Sequence, residues 1–220
     1  MRKADIAEFY RRLADRIPAP ETELESVNDY TLLVAVVLSA QATDAGVNRA
    51  TKDLFAEVTT PRQMLALGEE GLKRHIRTIG LYNTKAKNVI ALSRALVERH
   101  CGGIPADRDA LQKLPGVGRK TANVVMNVAF GAETFAVDTH VFRVANRTGL
   151  AKGRTVDRVE AILDRQTPPP WRRIAHHLLI LHGRYVCKAR TPECWRCVVR
   201  DLCAYKPKTP PPEMESKARR

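Results

Sequence analysis

The segment Leu114-Pro115-Gly116-Val117-Gly118-Arg119-Lys120 combines a tight turn with a lysine placed directly behind it. A Pro-Gly-x-Gly turn between two helical runs leaves backbone N–H groups free at the start of the second helix, and such an N-terminus attracts anions. Glycine at positions 116 and 118 would let a phosphate approach the backbone closely. Lys120 would lie in the first helical turn, where the helix dipole disfavours a cation, so a lysine kept there indicates a function. Taken alone, the segment fits a helix–turn–helix corner with a solvated lysine equally well.

Four cysteines near the C-terminus form a second constellation with the spacing C-x6-C-x2-C-x5-C: Cys187, Cys194, Cys197 and Cys203. Four thiols at this density, in a chain that we expect to be cytosolic, favour a metal over disulfides. The spacing alone leaves zinc and an iron–sulfur cluster equally open, since only one C-x2-C pair is present. Lys188 and Arg190 lie between the first two cysteines, so the metal would shape a small basic loop suited to phosphate contact. The alternative is a structural staple with incidental surface charge.

Asp138 stands directly before an apolar-periodic helix, in Val137-Asp138-Thr139-His140. Aspartate is a preferred N-cap, so a purely structural role accounts for it well. A capping carboxylate is also held ionised by the helix dipole, which suits a group that stabilises a developing cation. His140 is interpreted as an ordinary hydrogen-bonded histidine.

The composition favours a polyanionic partner. The chain has 220 residues with 37 Lys and Arg against 24 Asp and Glu, a formal net charge of +13. Such a balance is typical of nucleic-acid-binding proteins. No stretch approaches the roughly 20 apolar residues that span a bilayer, and the first residues show an amphipathic pattern in place of an apolar signal core. We therefore expect a cytoplasmic, nucleoid-associated, monomeric protein without a signal peptide, a transmembrane segment or a membrane partner.

The hydrophobic periodicity predicts an all-α protein. Apolar residues recur at helical spacing in most segments, and no alternating run supports a sheet. The apolar run 30–38 is compatible with a buried strand or a buried helix, and its context favours the helix. Helices are expected over residues 6–17, 30–38, 44–58, from 61 and again from 69, and over 84–100, 107–114, 119–130, 138–148, 156–165 and 171–182. The proline-rich, charged tail 207–220 is expected to be disordered.

Taken together, these motifs resemble the endonuclease III family of helix–hairpin–helix DNA glycosylases. The resemblance rests on Leu-Pro-Gly-Val-Gly-Arg-Lys-Thr-Ala, Val-Asp-Thr-His-Val-Phe-Arg-Val and the cysteine spacing, in that order and separation. Three further segments also resemble this family, at residues 38–44, 80–86 and 181–184. The resemblance covers about residues 5 to 206 and shows no departure at a position that carries the chemistry.

The resemblance implies two helical lobes with a DNA-binding cleft between them. Residues 22–133 would form a six-helix bundle with the helix–hairpin–helix at about 107–130. Residues 1–21 and 134–206 would form a second lobe that holds a [4Fe–4S] cluster on the four cysteines. The family resemblance, and not the spacing, thus favours iron over zinc.

The resemblance also assigns roles to individual residues. Lys120 and Asp138 match the catalytic pair. Gly116, Val117 and Gly118 match the hairpin that holds the phosphate backbone of double-stranded DNA. Gln41 and Leu81 match side chains that enter the duplex when the damaged nucleotide is flipped out, and flipping is needed because the glycosidic carbon is inaccessible inside the stack.

The implied reaction is removal of an oxidised pyrimidine, followed by strand cleavage at the abasic site through a lysine Schiff base. Lys120 must attack as a neutral amine, which burial in the cleft and the helix N-terminus would both favour. Two alternatives remain open. A mismatch adenine glycosylase shares the hairpin, aspartate and cluster, but is expected to lack the lysine and to carry a further C-terminal domain. A non-catalytic helix–hairpin–helix binder would need neither the lysine, the aspartate nor the cysteines.

Overall fold

The computed structural model describes residues 1–212, and its regular secondary structure in that range is entirely helical, with no strand. The α-helices, numbered in chain order, are α1 Lys3–Arg16, α2 Asp29–Leu38, α3 Asp44–Glu57, α4 Pro61–Ile76, α5 Tyr82–His100, α6 Arg108–Gln112, α7 Arg119–Phe130, α8 Thr139–Thr148, α9 Val156–Gln166 and α10 Arg172–Tyr185. Two short 3₁₀ helices flank α10, at Pro169–Trp171 before it and at Cys194–Arg196 after it. The predicted all-α class is confirmed. No helix among the described residues is both long and apolar enough to span a bilayer.

The chain divides into two compact units. The hairpin unit is Thr22–Ala132 and contains α2 to α7. The terminal unit combines Met1–Glu21 with the chain from Glu133 onward and contains α1 and α8 to α10.

Helix α2 lies in the core of the hairpin unit. Every residue from Tyr30 to Leu38 is buried, which explains why the run shows no polar face. It packs against α3, α5 and α7, while α4 packs along α5. Asn28 begins α2 with a capping box, which satisfies two N–H groups at the helix start. The sequence leaves this segment open between strand and helix, and the cap shows why it is a helix.

Helix α4 contains the break that the sequence predicts between residues 61 and 69. Thr60 caps its start and Pro61 occupies the first turn, as expected for a helix N-terminus. Gly68 interrupts it with φ +73° and ψ 171°. The range Pro61–Ile76 therefore consists of two helical segments on either side of Gly68, in agreement with the two expected helices.

The terminal unit packs α10 against α8 and α1, and α8 against α9. Its core includes Phe9, Tyr10, Val141, Leu178 and Val199, all nearly inaccessible to solvent. Gly183 permits the close approach of α10 to α8, because a Cβ there would lie 2.9 Å from the Cβ of His140. The helix that begins after Asp138 is thereby held firmly along α10.

The C-terminal segment differs from the predicted disordered tail 207–220. Residues 207–212 follow the cysteine-rich loop, and Thr209 makes two hydrogen bonds to it. Lys208 Nζ donates to the carbonyl of Cys203 at 2.7 Å. These bonds offset the conformational entropy that is lost when the segment becomes ordered. Its proline-rich composition alone would not do so. The remainder of that prediction, residues 213–220, lies outside the described residues.

Candidate functional site

The predicted hairpin is formed by α6, the turn after it and α7. Helix α6 ends at Gln112, earlier than predicted, because the chain already tightens there: the N–H of Leu114 donates to Leu111 and that of Val117 to Leu114. The side chain of Val117 is buried and anchors the turn.

The two hairpin glycines have different reasons to be glycine. Gly116 has φ +77°, and a Cβ there would lie 2.9 Å from Cβ of Asn88 on α5. Gly118 has φ −88°, which any residue adopts, and a Cβ there would meet nothing within 4 Å. The protein therefore requires glycine at position 116 for its own fold. At position 118 it leaves open space over a helix start that no side chain caps.

Lys120 is the second residue of α7 and is exposed. Within the hairpin unit its amine has no hydrogen-bond or ion-pair partner. The expected burial of Lys120 is therefore not provided by the protein alone.

Gln41 and Leu81 share an unusual backbone conformation. Their φ angles are 55° and 61°, in the left-handed region that costs a non-glycine residue about 1–2 kcal/mol. Both side chains are exposed, and Leu81, at the start of α5, is 60% accessible. Among the described residues the only other non-glycine with a positive φ is Cys101, at the end of α5. Strain of this kind is typical of functional sites.

Asp138 is the N-cap of α8 and is half-buried. Its Oδ1 accepts the N–H groups of His140 and Val141, both at 2.8 Å. Within the terminal unit, Oδ2 has no hydrogen-bond partner. The capping role and a chemical role are therefore compatible, since one oxygen caps the helix and the other remains available.

His140 is a partly buried side chain. Burial lowers its pKa, with the nearby Asp138 opposing and Arg143 adding to the shift. Its Nδ1 lies 3.1 Å from a guanidinium nitrogen of Arg143. This agrees with its interpretation as an ordinary hydrogen-bonded histidine.

The four predicted metal ligands line one common cavity. Cys187 and Cys194 enter it from the loop after α10, and Cys197 and Cys203 from the segment beyond. The remaining walls include Thr148, His182, Val186, Pro192 and Tyr205. Within residues 1–212 no three His, Cys, Asp or Glu side chains are grouped closely enough to hold a single metal ion. Four thiols around one largely apolar cavity are a donor set that fits an iron–sulfur cluster.

Burial disfavours the ionised form of two of these thiols. Burial raises the pKa of the Cys197 thiol to about 11, and it raises the pKa of Cys187 while Arg147 opposes it. A bound iron cluster supplies the positive charge that makes a buried thiolate favourable.

Two arginines on α8 hold the cysteine loop, and the sequence motifs did not single them out. Arg143 Nε donates to the carbonyl of Cys187 at 3.0 Å. Arg147 donates to the carbonyls of Lys188 and Ala189, each at 2.6 Å. Their four-residue spacing on the helix that starts after Asp138 is the signal that would have found them, because it places both on one helical face. The aspartate and the loop are thus attached to the same helix.

Lys188 and Arg190 are both exposed on this loop, as predicted. They differ in their surroundings. The Lys188 ammonium lies 2.6 Å from the carboxylate of Glu193, whereas Arg190 makes no ion pair with any residue in the described part of the chain.

Comparison with known proteins agrees with these features. Residues 34–169 match the model of the HhH-GPD superfamily of base excision DNA repair proteins, and residues 187–203 match the iron–sulfur binding domain of endonuclease III. The chain is 54% identical to endonuclease III of Escherichia coli K12 over 208 residues, which cover 94% of this chain and 99% of the relative. It is 60% identical to endonuclease III of Rickettsia conorii over 188 residues, 86% of this chain and 90% of the relative. A solved structure of endonuclease III trapped as a covalent intermediate with DNA superimposes with a TM-score of 0.87 at 46% identity, covering 93% of this chain and 96% of that one.

Proposed function

This chain belongs to the endonuclease III family of HhH-GPD base excision DNA repair proteins, and on that premise we propose that Lys120 and Asp138 perform its chemistry on oxidised pyrimidines. The protein is accordingly a DNA N-glycosylase with lyase activity at abasic sites, acts on DNA and carries a [4Fe–4S] cluster. The observation that carries the residue assignment is an exposed lysine in the first turn of an uncapped helix, directly behind the hairpin.

In the proposed reaction the neutral amine of Lys120 attacks C1′ of the flipped nucleotide. The C1′–N bond breaks, its electron pair leaves with the base, and the base takes up a proton. The amine then opens the sugar ring to a Schiff base, which withdraws electrons from the sugar. Loss of a C2′ proton and β-elimination break the C3′–O bond and nick the strand on the 3′ side of the lesion.

Both the protein and the bound DNA would contribute to the activation of Lys120. Lys120 lies in the first turn of α7, at the positive end of the helix dipole, and its exposed side chain lets a nucleotide reach it. A bound nucleotide would exclude water from the amine and so supply the burial that the free protein does not provide.

Asp138 would stabilise the positive charge that develops on the sugar as the base departs. Its Oδ1 is fixed by two backbone N–H groups, so the carboxylate needs no reorganisation when charge forms. Its Oδ2 is the oxygen that we assign to this electrostatic role.

The hairpin would hold the strand through phosphate. Val117 anchors the turn, Gly116 shapes it, and Gly118 leaves room for a phosphate over the N-terminus of α7. This assignment gives the two glycines separable effects.

Gly116→Ala and Gly118→Ala form a matched pair that tests the hairpin. Gly116→Ala should destabilise the protein by about 1–2 kcal/mol, because the left-handed backbone and Asn88 both oppose a Cβ. Gly118→Ala should leave stability within about 0.5 kcal/mol but weaken DNA binding, because its Cβ would occupy the space left for phosphate. Thermal unfolding and binding titrations measure the two effects. Equal loss of stability in both variants would contradict the assignment.

Gln41 and Leu81 would fill the space that the flipped nucleotide leaves in the duplex. An exposed side chain on a strained backbone presents its tip outward in a fixed direction, which suits insertion between bases.

Leu81→Gly should separate stability from activity. Glycine adopts φ +61° without strain, so the variant should be as stable as the parent or more stable by about 1 kcal/mol. Its excision of a paired, damaged base should fall because no side chain fills the gap, while cleavage of a single-stranded abasic site should change little. Unfolding curves and both cleavage assays are the measurement, and a destabilised variant with normal excision would refute the role.

The cluster would be held by Cys187, Cys194, Cys197 and Cys203, and it would supply a crosslink that shapes the loop, with no part in bond cleavage. Arg143 and Arg147 fix this loop to α8. Lys188 and Arg190 would then contact the phosphate backbone. We also place the protein in the cytoplasm, associated with the nucleoid, in accord with its charge and its DNA substrate.

Strand cleavage on a panel of duplexes tests the function. Thymine glycol and abasic-site duplexes should be cut, whereas uracil and A:8-oxoguanine duplexes should remain intact. Release of adenine from the mismatch without a nick would indicate the mismatch adenine glycosylase instead. An uncut abasic strand at every protein concentration would indicate a binder without chemistry.

A further inference from the structure

Glu193 lies between two cations of the basic loop. One carboxylate oxygen is 2.6 Å from Nζ of Lys188, and the other pairs with Nε of Arg196. The Lys188 and Arg196 side chains are 48% and 37% exposed, so both are within reach of a ligand from solvent. The Glu193 carboxylate therefore lies between the two cations, where a phosphate would otherwise bind.

The backbone around Glu193 is fixed from three directions. Its own N–H donates to the carbonyl of Val186 at 2.8 Å. The Thr209 hydroxyl accepts the N–H of Cys194 at 3.1 Å and donates to the carbonyl of Pro192. With both chain neighbours bound to the same C-terminal hydroxyl, the carboxylate has a defined position beside Lys188.

The loop consequently presents less positive charge than its sequence indicates. Of the four cations between Cys187 and Cys203, Lys188 and Arg196 share the Glu193 carboxylate, whereas Arg190 and Arg200 make no ion pair within the described part of the chain. A phosphate that binds Lys188 must displace the carboxylate, and exposed pairs of this kind are weak enough to exchange.

We propose that Glu193 is a specificity-determining residue that weakens binding to undamaged DNA by occupying Lys188. An undamaged duplex, held by fewer contacts, has to compete with the carboxylate at every encounter. A duplex whose damaged nucleotide is already flipped makes further contacts with the protein, so the competition for Lys188 lowers its affinity less. This inference rests on the proposed phosphate contact of Lys188.

Binding titrations with Glu193→Gln test the proposal. Fluorescence anisotropy would be followed across a series of NaCl concentrations. The two probes are an undamaged duplex and a duplex with a non-cleavable tetrahydrofuran abasic analogue. The variant should bind the undamaged duplex about threefold more tightly, which lies within the range for an exposed pair. Its salt slope should steepen by about 0.9, because one more phosphate is neutralised. The tetrahydrofuran duplex should gain less, so discrimination between the two should fall.

Glu69→Gln is the matched control. Glu69 pairs with Lys73 at 2.7 Å on α4, so its replacement makes the same change in net charge in the other unit of the chain. Its affinity for both duplexes should match that of the parent. Glu193→Gln should also retain the visible absorption of the cluster, because Glu193 is not a ligand. Loss of the cluster would assign Glu193 to the structure of the loop and overturn the proposal.

Lys188→Gln, alone and combined with Glu193→Gln, tests the role of Glu193 separately from the proposed phosphate contact of Lys188. If Lys188→Gln leaves affinity unchanged, the phosphate contact itself is wrong. If Lys188→Gln weakens binding but Glu193→Gln does not tighten it, only the role of Glu193 is wrong. The gain from Glu193→Gln should shrink in the Lys188→Gln background. An undiminished gain there, or an equal gain in Glu69→Gln, would show a general effect of charge and overturn the proposal.

Discussion

Lys120→Gln is expected to abolish strand cleavage at abasic sites and excision of thymine glycol, each by about four orders of magnitude or more. Glutamine has nearly the same length but cannot form a Schiff base, so no other step of the proposed reaction can proceed. The variant should fold normally, because Lys120 is exposed and has no partner in the hairpin unit. Removing a cation from the first turn of α7 should even stabilise the protein by up to about 1 kcal/mol.

Lys52→Gln is the control for this change. Lys52 is exposed on α3 and loses the same charge without any assigned role. Its cleavage rates should stay within about twofold of the parent. Residual cleavage by Lys120→Gln at more than one hundredth of the parental rate would assign the nucleophile to another amine.

Asp138→Asn and Asp138→Ala are expected to lose activity alike but to differ in stability. Without the carboxylate, base excision should fall by about 10²–10³-fold in both, because the developing charge on the sugar is no longer stabilised. Asparagine still caps α8 through its side-chain oxygen, so its stability should match that of the parent. Alanine leaves the N–H groups of His140 and Val141 without their acceptor and should cost about 1 kcal/mol.

A preformed abasic site should be affected less by these two changes. Its base has already departed, so the step that Asp138 assists is absent, and lyase activity should fall by less than excision does. Parallel assays on thymine glycol and abasic duplexes, with thermal unfolding of each variant, measure all three effects. Equal stability of the alanine and asparagine variants would contradict the capping role. Undiminished excision by the asparagine variant would contradict the electrostatic one.

Most helices were predictable because their start signals are local. Thr43, Thr60, Asp138 and Thr155 all cap the helices that follow them, and Pro61 begins α4 as prolines commonly do. Helix α2 carried no amphipathic signal because all its faces are buried, so only context favoured a helix there. The end of α6 was placed too late, because the turn that shortens it depends on the buried Val117.

The candidate site was predictable only where a motif identifies a residue. The hairpin, Lys120, Asp138 and the cysteines follow from types and spacing. The strain at Leu81 could not be predicted, since neither a leucine residue nor its neighbours in the sequence indicate a positive φ. Burial of Lys120 in a cleft was expected, but its side chain is exposed, and no residue type or spacing near it indicates that exposure.

The pairing of Lys188 with Glu193 and the anchoring of Thr209 were also beyond reach of the sequence. Both depend on how the loop folds back after Cys187, and Lys188 and Glu193 lie five positions apart without a helical register to connect them. The same folding orders residues 207–212, whose composition alone indicated disorder. Side-chain contacts between irregular segments carry no periodic signal.

The central claim is that the amine of Lys120 forms the covalent intermediate with DNA. Borohydride reduction during reaction with an abasic-site duplex, followed by proteolysis and mass spectrometry of the trapped adduct, tests it most directly. We expect one adduct per protein, located at Lys120, and none in Lys120→Gln. An adduct on any other amine of the parent protein, or trapping that survives Lys120→Gln, would contradict it.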